Sequence, residues 1–347
     1  MKIKVKNALV SAAVASLILA AVLSTNSVKA AVGKVIRMGG DDRYSTAAKV
    51  DMANWKNASD VVLVSGEGYA DGLSASTLAK KLDSPILLTT SDILNKDAVD
   101  ALNVLKPKNI YIIGGIGSIS QKIRDNLKNE YNIIELGGTT RYETNVKVAN
   151  KLVELGVTPD NVLAVSGEGF SDAISAAPVA AAKGEILLLV NNDETSIKST
   201  ISFLKENKSK ATVIGTDKVI NDKIYNVLGA SERIDGGKDR FATNLNILNA
   251  FWGDLNFDKM YIASAQFSDP DDMYADALVA SAISGKYSAP LVLVDKDSSD
   301  ATDNAVTYII KNNTSKNADI LLIGGTEVIS ENIEDRITPV YNPLYNY

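Results

Sequence analysis

Histidine is absent from all 347 residues, so Ser-His-Asp hydrolysis, histidine-bearing zinc amidase centres and most general-base schemes cannot be assembled. Cysteine is absent too, which removes thiol peptidase chemistry and leaves the structure to be held by burial rather than by disulfides. Carboxylate pairs are the remaining catalytic candidates, and among 42 acidic residues a pair somewhere carries no information. No stretch after the first 30 residues approaches the roughly 20 apolar residues of a membrane span. Pro-rich and Gly/Ser-rich linkers are also missing.

Lys2, Lys4 and Lys6 precede an apolar run from Ala8 to Leu23, followed by a polar stretch and the small residues Ala30 and Ala31. This layout predicts a secretory signal peptide over 1–30, and hence an exported protein at the cell surface with no membrane attachment after cleavage. Removing that segment takes away Lys2, Lys4, Lys6 and Lys29, which leaves 32 basic against 42 acidic side chains, a net charge of -10. A chain this acidic is not a nucleic-acid binder.

The rest of the sequence says one thing three times. Gly39-Gly40-Asp41-Asp42-Arg43-Tyr44-Ser45-Thr46 recurs as Gly137-Gly138-Thr139-Thr140-Arg141-Tyr142-Glu143-Thr144 and as Gly236-Gly237-Lys238-Asp239-Arg240-Phe241-Ala242-Thr243. A second block, Ser65-Gly66-Glu67-Gly68-Tyr69-Ala70-Asp71, returns as Ser166-Gly167-Glu168-Gly169-Phe170-Ser171-Asp172; in the third copy Ser264 and Asp276 are separated by an acidic insert at Asp269–Asp272. The third block reads Ile86-Leu87-Leu88, Ile186-Leu187-Leu188 and Leu291-Val292-Leu293. The fourth is built on Gly114-Gly115, Gly215-Thr216 and Gly324-Gly325. Short β-branched runs ending in glycine turns alternate with stretches of helical period, which predicts an α/β fold of three tandem parallel-sheet βαβα domains. Their expected bounds are 31–131, 132–229 and 230–347, packed tightly on one another.

Several motifs invite a chemical reading. Gly66-x-Gly68-x-x-x-Gly72 occupies the place of a dinucleotide fingerprint, but the next strand ends in Leu88-Thr89-Thr90 without the acid that would hold a ribose. These glycines are read as turn residues instead. Asp295, Asp297, Asp300 and Asp303, and the 269–272 insert, lack the sixth-position glycine of a calcium loop. They are read as solvated acidic loops, and no metal or cofactor is expected. Arg43, Arg141 and Arg240 each follow a Gly-Gly turn, where a guanidinium could meet a phosphate or carboxylate group. The favoured alternative pairs each with Asp71, Asp172 or Asp276 in a buried ion pair that locks two turns or two repeats together. Tyr44, Tyr142 and Phe241 could stack on sugars but read more naturally as core.

The four blocks together resemble the clostridial cell-wall-binding repeat family, type 2, found in surface-layer-associated wall proteins. The likeness covers about Val35 to Val340. It implies three α/β domains around a pseudo-threefold axis that jointly and non-covalently bind an anionic secondary cell wall polymer, with surface-layer proteins as further candidate partners. The family's binding-linked ILL motif maps to Ile86, Leu87, Leu88 and to Ile186, Leu187, Leu188, while the third copy departs from it. Read physically, such a run on a central parallel strand is ordinary core, so its effect on binding would be indirect. A wall hydrolase of amidase type and a host-facing adhesin are the competing functions.

Overall fold

A computed structural model describes residues 33–266, 275–313 and 317–338. The expected signal peptide, the acidic insert and the C-terminal Tyr341–Tyr347 lie outside the described residues. From Gly33 onward the chain forms one unit, with twelve strands in three sheets among the described residues.

The strands are β1 (Val35–Met38), β2 (Asp60–Ser65), β3 (Ile86–Thr89), β4 (Asn109–Ile113), β5 (Asn132–Leu136), β6 (Asn161–Ser166), β7 (Ile186–Val190), β8 (Lys210–Ile214), β9 (Glu232–Ile234), β10 (Lys259–Ser264), β11 (Leu291–Val294) and β12 (Asp319–Ile323). All pairings are parallel, in the orders β3-β2-β4-β5, β7-β6-β8-β9 and β11-β10-β12-β1. Sequence repeat and sheet are therefore offset by one strand. β5 and β9, which open the second and third sequence repeats, complete the sheets of the repeats before them. β1, which opens the first, completes the sheet of the third.

The strands read as nearly continuous β-branched and leucine runs because helices cover both faces of each sheet. Three equivalent helices, Ala75–Leu82, Phe170–Lys183 and Ala275–Tyr287, pack against one another in all three pairings, which gives the pseudo-threefold arrangement the repeats predict. Their contact faces are rich in alanine and serine, so their backbones approach closely. Ser76 and Ser281 meet across the centre at 3.2 Å, one apolar cluster runs through all three repeats, and a second lies within the third around Met260, Ile262 and Ile320.

The structure corrects one expectation. The ILL runs are not on central strands: β3, β7 and β11 each pair on one side only, with β2, β6 and β10. Their free edges are sealed by side chains of the helix that follows the Gly-Gly turn. Asn145 Nδ2 donates to the Leu187 carbonyl (2.9 Å) and its Oδ1 accepts from the Leu189 amide (2.9 Å). Asn244 does the same for Leu291 and Leu293, at 2.9 and 3.0 Å. Each asparagine also reaches back one repeat, Asn145 to Ser74 Oγ (3.0 Å) and Asn244 to Ser175 Oγ (3.1 Å). A buried strand edge must have such partners. The first repeat has Ala47 at this place, four residues after its arginine as Asn145 and Asn244 follow theirs. There Asp51, one turn further along, lies beside the Ile86 amide, and burial pushes its carboxyl well above the usual range.

Candidate functional site in the clefts between repeats

The Gly-Gly block is a helix-starting device. Asp42, Thr140 and Asp239 cap the helices Arg43–Asn54, Arg141–Glu154 and Arg240–Ala250 by accepting from Ser45, Glu143 and Ala242 amides (2.8, 3.3 and 2.8 Å). The threonine that ends the block closes back on the turn: Thr46, Thr144 and Thr243 Oγ1 accept from Gly40, Gly138 and Gly237 amides at 2.9, 3.0 and 2.9 Å.

The first glycine of each pair lies against the glycine turn of the preceding repeat. A Cβ on Gly39 would come within 2.7 Å of the Gly324 backbone, and one on Gly137 would collide with the Gly114 carbonyl. In the third copy Gly236 faces Thr216, and the fit relaxes to 3.1 Å. Only glycine permits this backbone-on-backbone approach.

The arginines at the first helical position reach forward to their own second block. Arg43 Nη1 donates to the Gly66 carbonyl at 2.7 Å, Arg141 to that of Gly167 at 2.5 Å, and Arg240 to that of Ala265 at 3.4 Å. The next ring presses on the same residue, so that a Cβ on Gly66 or Gly167 would fall 2.7 or 2.8 Å from Tyr44 or Tyr142. Tyr142 is buried, while Tyr44 and Phe241 are half-buried and packed against the core. Serine and glutamate brace the loop: Ser65 and Ser166 accept from Glu67 and Glu168 amides (both 3.2 Å), and the glutamates hold Ser91 N (2.8 Å) and Asn191 Nδ2 (3.1 Å). Of the other fingerprint glycines, Gly68 has open space around it, while Gly72 has a packing role, since its face abuts Leu278 of the third repeat.

Asp71, Asp172 and Asp276 sit over the glycine turns of their own repeats, at Gly114, Gly215 and Gly324, but look across to the arginine of the next repeat. Asp71 accepts from Ser118 Oγ at 2.5 Å and shares a cleft with Arg141. Burial pushes the Asp172 carboxyl up to about 6 against the opposing charge of Arg240. Asp276 also rises to about 6 through burial, opposed by a Thr46 hydrogen bond and the charge of Arg43. The association is thus cyclic, from repeat one to two, two to three, and three back to one.

A second set of arginines, invisible to repeat matching, ties each fourth strand down. Arg124 is 2% exposed and donates to the carbonyls of Gly114 (2.8 Å), Gly115 (3.0 Å) and Ile119 (3.0 Å) and to Glu135 on β5 (2.8 Å). At the same register Arg37 on β1 holds the Gly324 and Gly325 carbonyls (3.2 and 3.1 Å) and pairs with Glu334 at 2.7 Å. Arg233 on β9 holds the Gly215 carbonyl at 2.9 Å, with its guanidinium 5.0 Å from the Tyr225 ring centre. The helix position carrying Arg124 in the first repeat carries Tyr225 in the second and Glu334 in the third, so no shared residue type marks it.

Between the first and second repeats these elements enclose a cleft of about 750 Å³, lined by Asp71, Gly114–Ser118, Arg124, Glu135, Gly137–Arg141, Glu143, Thr144 and Lys147. Its charged lining is three acids and three bases, locally neutral in a strongly acidic chain. Hydrogen bonding from Thr139 holds the exposed Glu143 carboxyl below the usual range, and Lys147 rests on the Gly137 carbonyl. A cleft of about 510 Å³ lies between the second and third repeats, lined by Asp172, Lys218, Lys238 and Arg240 among others. A third, of about 560 Å³, meets the first across Thr139–Arg141 and continues to Glu168 and Asn191. The ILL side chains enter none of these clefts; Ile86, Leu87, Leu88, Ile186, Leu187 and Leu188 are all core. Among the described residues no group of three or more acids could hold a metal; of the acids expected in a loop at 295–303, Asp300 and Asp303 instead open the helix Asp300–Asn312, where Asp303 pairs with Arg336 at 2.6 Å. No described helix is long and apolar enough to cross a membrane.

Three interlocked parallel-sheet repeats with polar clefts at their joints define a tandem-repeat α/β module. The chain belongs to the cell wall binding domain 2 family, which matches residues 37–124, 135–225 and 233–334. It is 30% identical over 319 residues to the N-acetylmuramoyl-L-alanine amidase LytC of Bacillus subtilis, covering 91% of this chain and 59% of that protein. To the amidase enhancer of the same organism it is 28% identical, covering 87% and 40%. The chain thus spans about half the length of these curated relatives. Two solved structures, Cwp6 and Cwp8 from Clostridium difficile, superpose with TM-scores of 0.75 and 0.77 at 26% and 25% identity. Each superposition covers 89% of this chain and about half of the other.

Proposed function

We propose that the exported chain holds non-covalently to an anionic secondary polymer of the Gram-positive cell wall, gripping it in the clefts between repeats and without catalysis. The supporting observation is the 750 Å³ cleft, where Arg141 and Lys147 gather in a wall-binding family member whose overall charge would otherwise repel a polyanion. Each acid of that cleft is engaged internally: Asp71 by Ser118, Glu135 by Arg124 and Lys128, and Glu143 by the Thr139 amide. Planar guanidinium and flexible ammonium groups in one cleft suit phosphate or carboxylate groups on a chain of sugars. The ILL residues support the grip through the framework, because the edge they form anchors the helix that carries Arg141. Surface-layer proteins are the natural neighbours of a protein held in this way.

A wall hydrolase is the second reading, favoured by the likeness to an amidase, but the absence of histidine leaves it without the usual general base or zinc ligand. The adhesin reading rests on the 269–272 insert alone. Co-sedimentation with intact walls and with walls stripped of secondary polymer tests the proposal: retention on the first only is expected, and equal retention on both refutes it. A peptidoglycan zymogram with a cleared band would establish the hydrolase instead.

A further inference from the structure

The internal repeats act as controls for one another, and one residue of the third repeat has no packing reason to be what it is. Trp55, Leu155 and Phe251 end the three equivalent helices as C-caps, and Trp55 and Phe251 are buried there. Counted from the arginine that opens each helix, however, Trp252 stands at the place of Trp55 in the first repeat and of Val153 in the second. The first-repeat tryptophan is buried in the core at 9% exposure, the second repeat has no aromatic residue here, and in the third the indole is 55% exposed.

The ring is nonetheless fixed. Its Nε1–H donates to Asn312 Oδ1 at 2.9 Å, and Phe257 supports it with ring centres 5.5 Å apart and planes inclined by 32°. An exposed aromatic whose one polar atom is already satisfied, held by a hydrogen bond and a second ring, is a flat apolar plate presented to solvent at little further entropic cost. The plate is small, roughly 130 Å² if a buried tryptophan covers up to about 250 Å², against the roughly 800 Å² per partner of a stable protein interface. Asn312 and Asp254 beside it are polar, and exposed Ile310, two positions from Asn312 on its helix, points elsewhere. A plate of one ring with a polar rim matches one face of a pyranose. Its sugar would stack C–H groups on the indole while its hydroxyls meet the amides and carboxylate around it.

We infer that Trp252 is a saccharide-stacking subsite for a pyranose chain, separate from the clefts. It follows the C-terminal end of the Arg240–Ala250 helix, whose other end faces the second cleft, so about 16 Å of helix separates the two. A glycan engaged at both places would be held bivalently, each contact raising the local concentration for the other.

The chain has only two tryptophans, and Trp55 is 9% exposed, so iodide quenching of intrinsic fluorescence reports chiefly on Trp252. Cellotetraose and chitotetraose are the probes. Either should protect the full chain from quenching, with saturation, and Trp252→Lys, a polar change at an exposed position, should abolish the protected signal and weaken binding by calorimetry about 2- to 12-fold, the stacking range converted at 1.4 kcal/mol per decade. Arg141→Gln should leave the protection intact, which separates this subsite from the cleft proposal. Absence of protection by both sugars, unchanged calorimetric affinity in Trp252→Lys, or loss of protection in Arg141→Gln would each overturn the assignment.

Discussion

Replacing Asn145 by alanine should be among the most damaging single changes in the chain. The amide makes three buried hydrogen bonds, to Ser74 Oγ, the Leu187 carbonyl and the Leu189 amide, at 3.0, 2.9 and 2.9 Å. Its loss strands the two backbone groups on the free edge of β7 beneath a covering helix. A buried group left unpaired costs about 1–3 kcal/mol, so relaxation and water entry should leave a net loss of about 2–5 kcal/mol. The first repeat meets the same edge differently, with Ala47 accompanied by the buried Asp51 beside the Ile86 amide. Asn145→Asp keeps the acceptor for Leu189 but loses both donors and buries a charge, so it should be at least as harmful at pH 7 and milder at pH 5. Urea unfolding measures the effect, as a lowered midpoint at constant slope. A loss below about 0.5 kcal/mol for Asn145→Ala would refute the edge-sealing argument.

Gly137→Ala should destabilise by about 3 kcal/mol or more, since its Cβ meets the Gly114 carbonyl, whereas Gly169→Ala, which has open space around it, should be nearly neutral by thermal melting. Arg37→Glu should cost about 2 kcal/mol and be largely rescued by Glu334→Arg, because the first joint already carries the reversed arrangement in Arg124 and Glu135; failure of the double variant to recover its urea midpoint would contradict this. The buried carboxyls of Asp172 and Asp276, at about 6 when folded against an ordinary 3.8, take up protons in the folded chain before the unfolded one. Their share of stability therefore increases as pH falls through 6 and levels off near 3.8. Asp172→Asn with Asp276→Asn should flatten the dependence of melting temperature on pH between 7 and 5 relative to the parent.

Much of this architecture is written in the repeats. Strand and helix periods and glycine turns identify the α/β class, and three copies of Gly-Gly-x-x-Arg mark equivalent helix starts. What stays hidden is the assignment of partners between copies. Asp71 and Arg43 look like partners within one repeat, yet each aspartate faces the arginine of the next, because the fourth strand of every sheet comes from the following repeat. Nothing local in Val35–Met38 says that it pairs with Asp319–Ile323 nearly three hundred residues on. Arg37, Arg124 and Arg233 escape repeat matching because strand and helix exchange the charge between joints, so geometry and not residue type is preserved. The ILL run reads as central because it is wholly apolar. The asparagine that reveals it as an edge lies some forty residues earlier, on another element.

The central claim is that the cleft between the first and second repeats holds the wall polymer. The direct measurement is co-sedimentation of the Arg141→Gln, Lys147→Gln double variant with polymer-bearing walls, after circular dichroism has shown its fold and melting temperature to match the parent. The account predicts that a folded double variant stays in the supernatant while the parent pellets. A folded variant that pellets with parental affinity would contradict it.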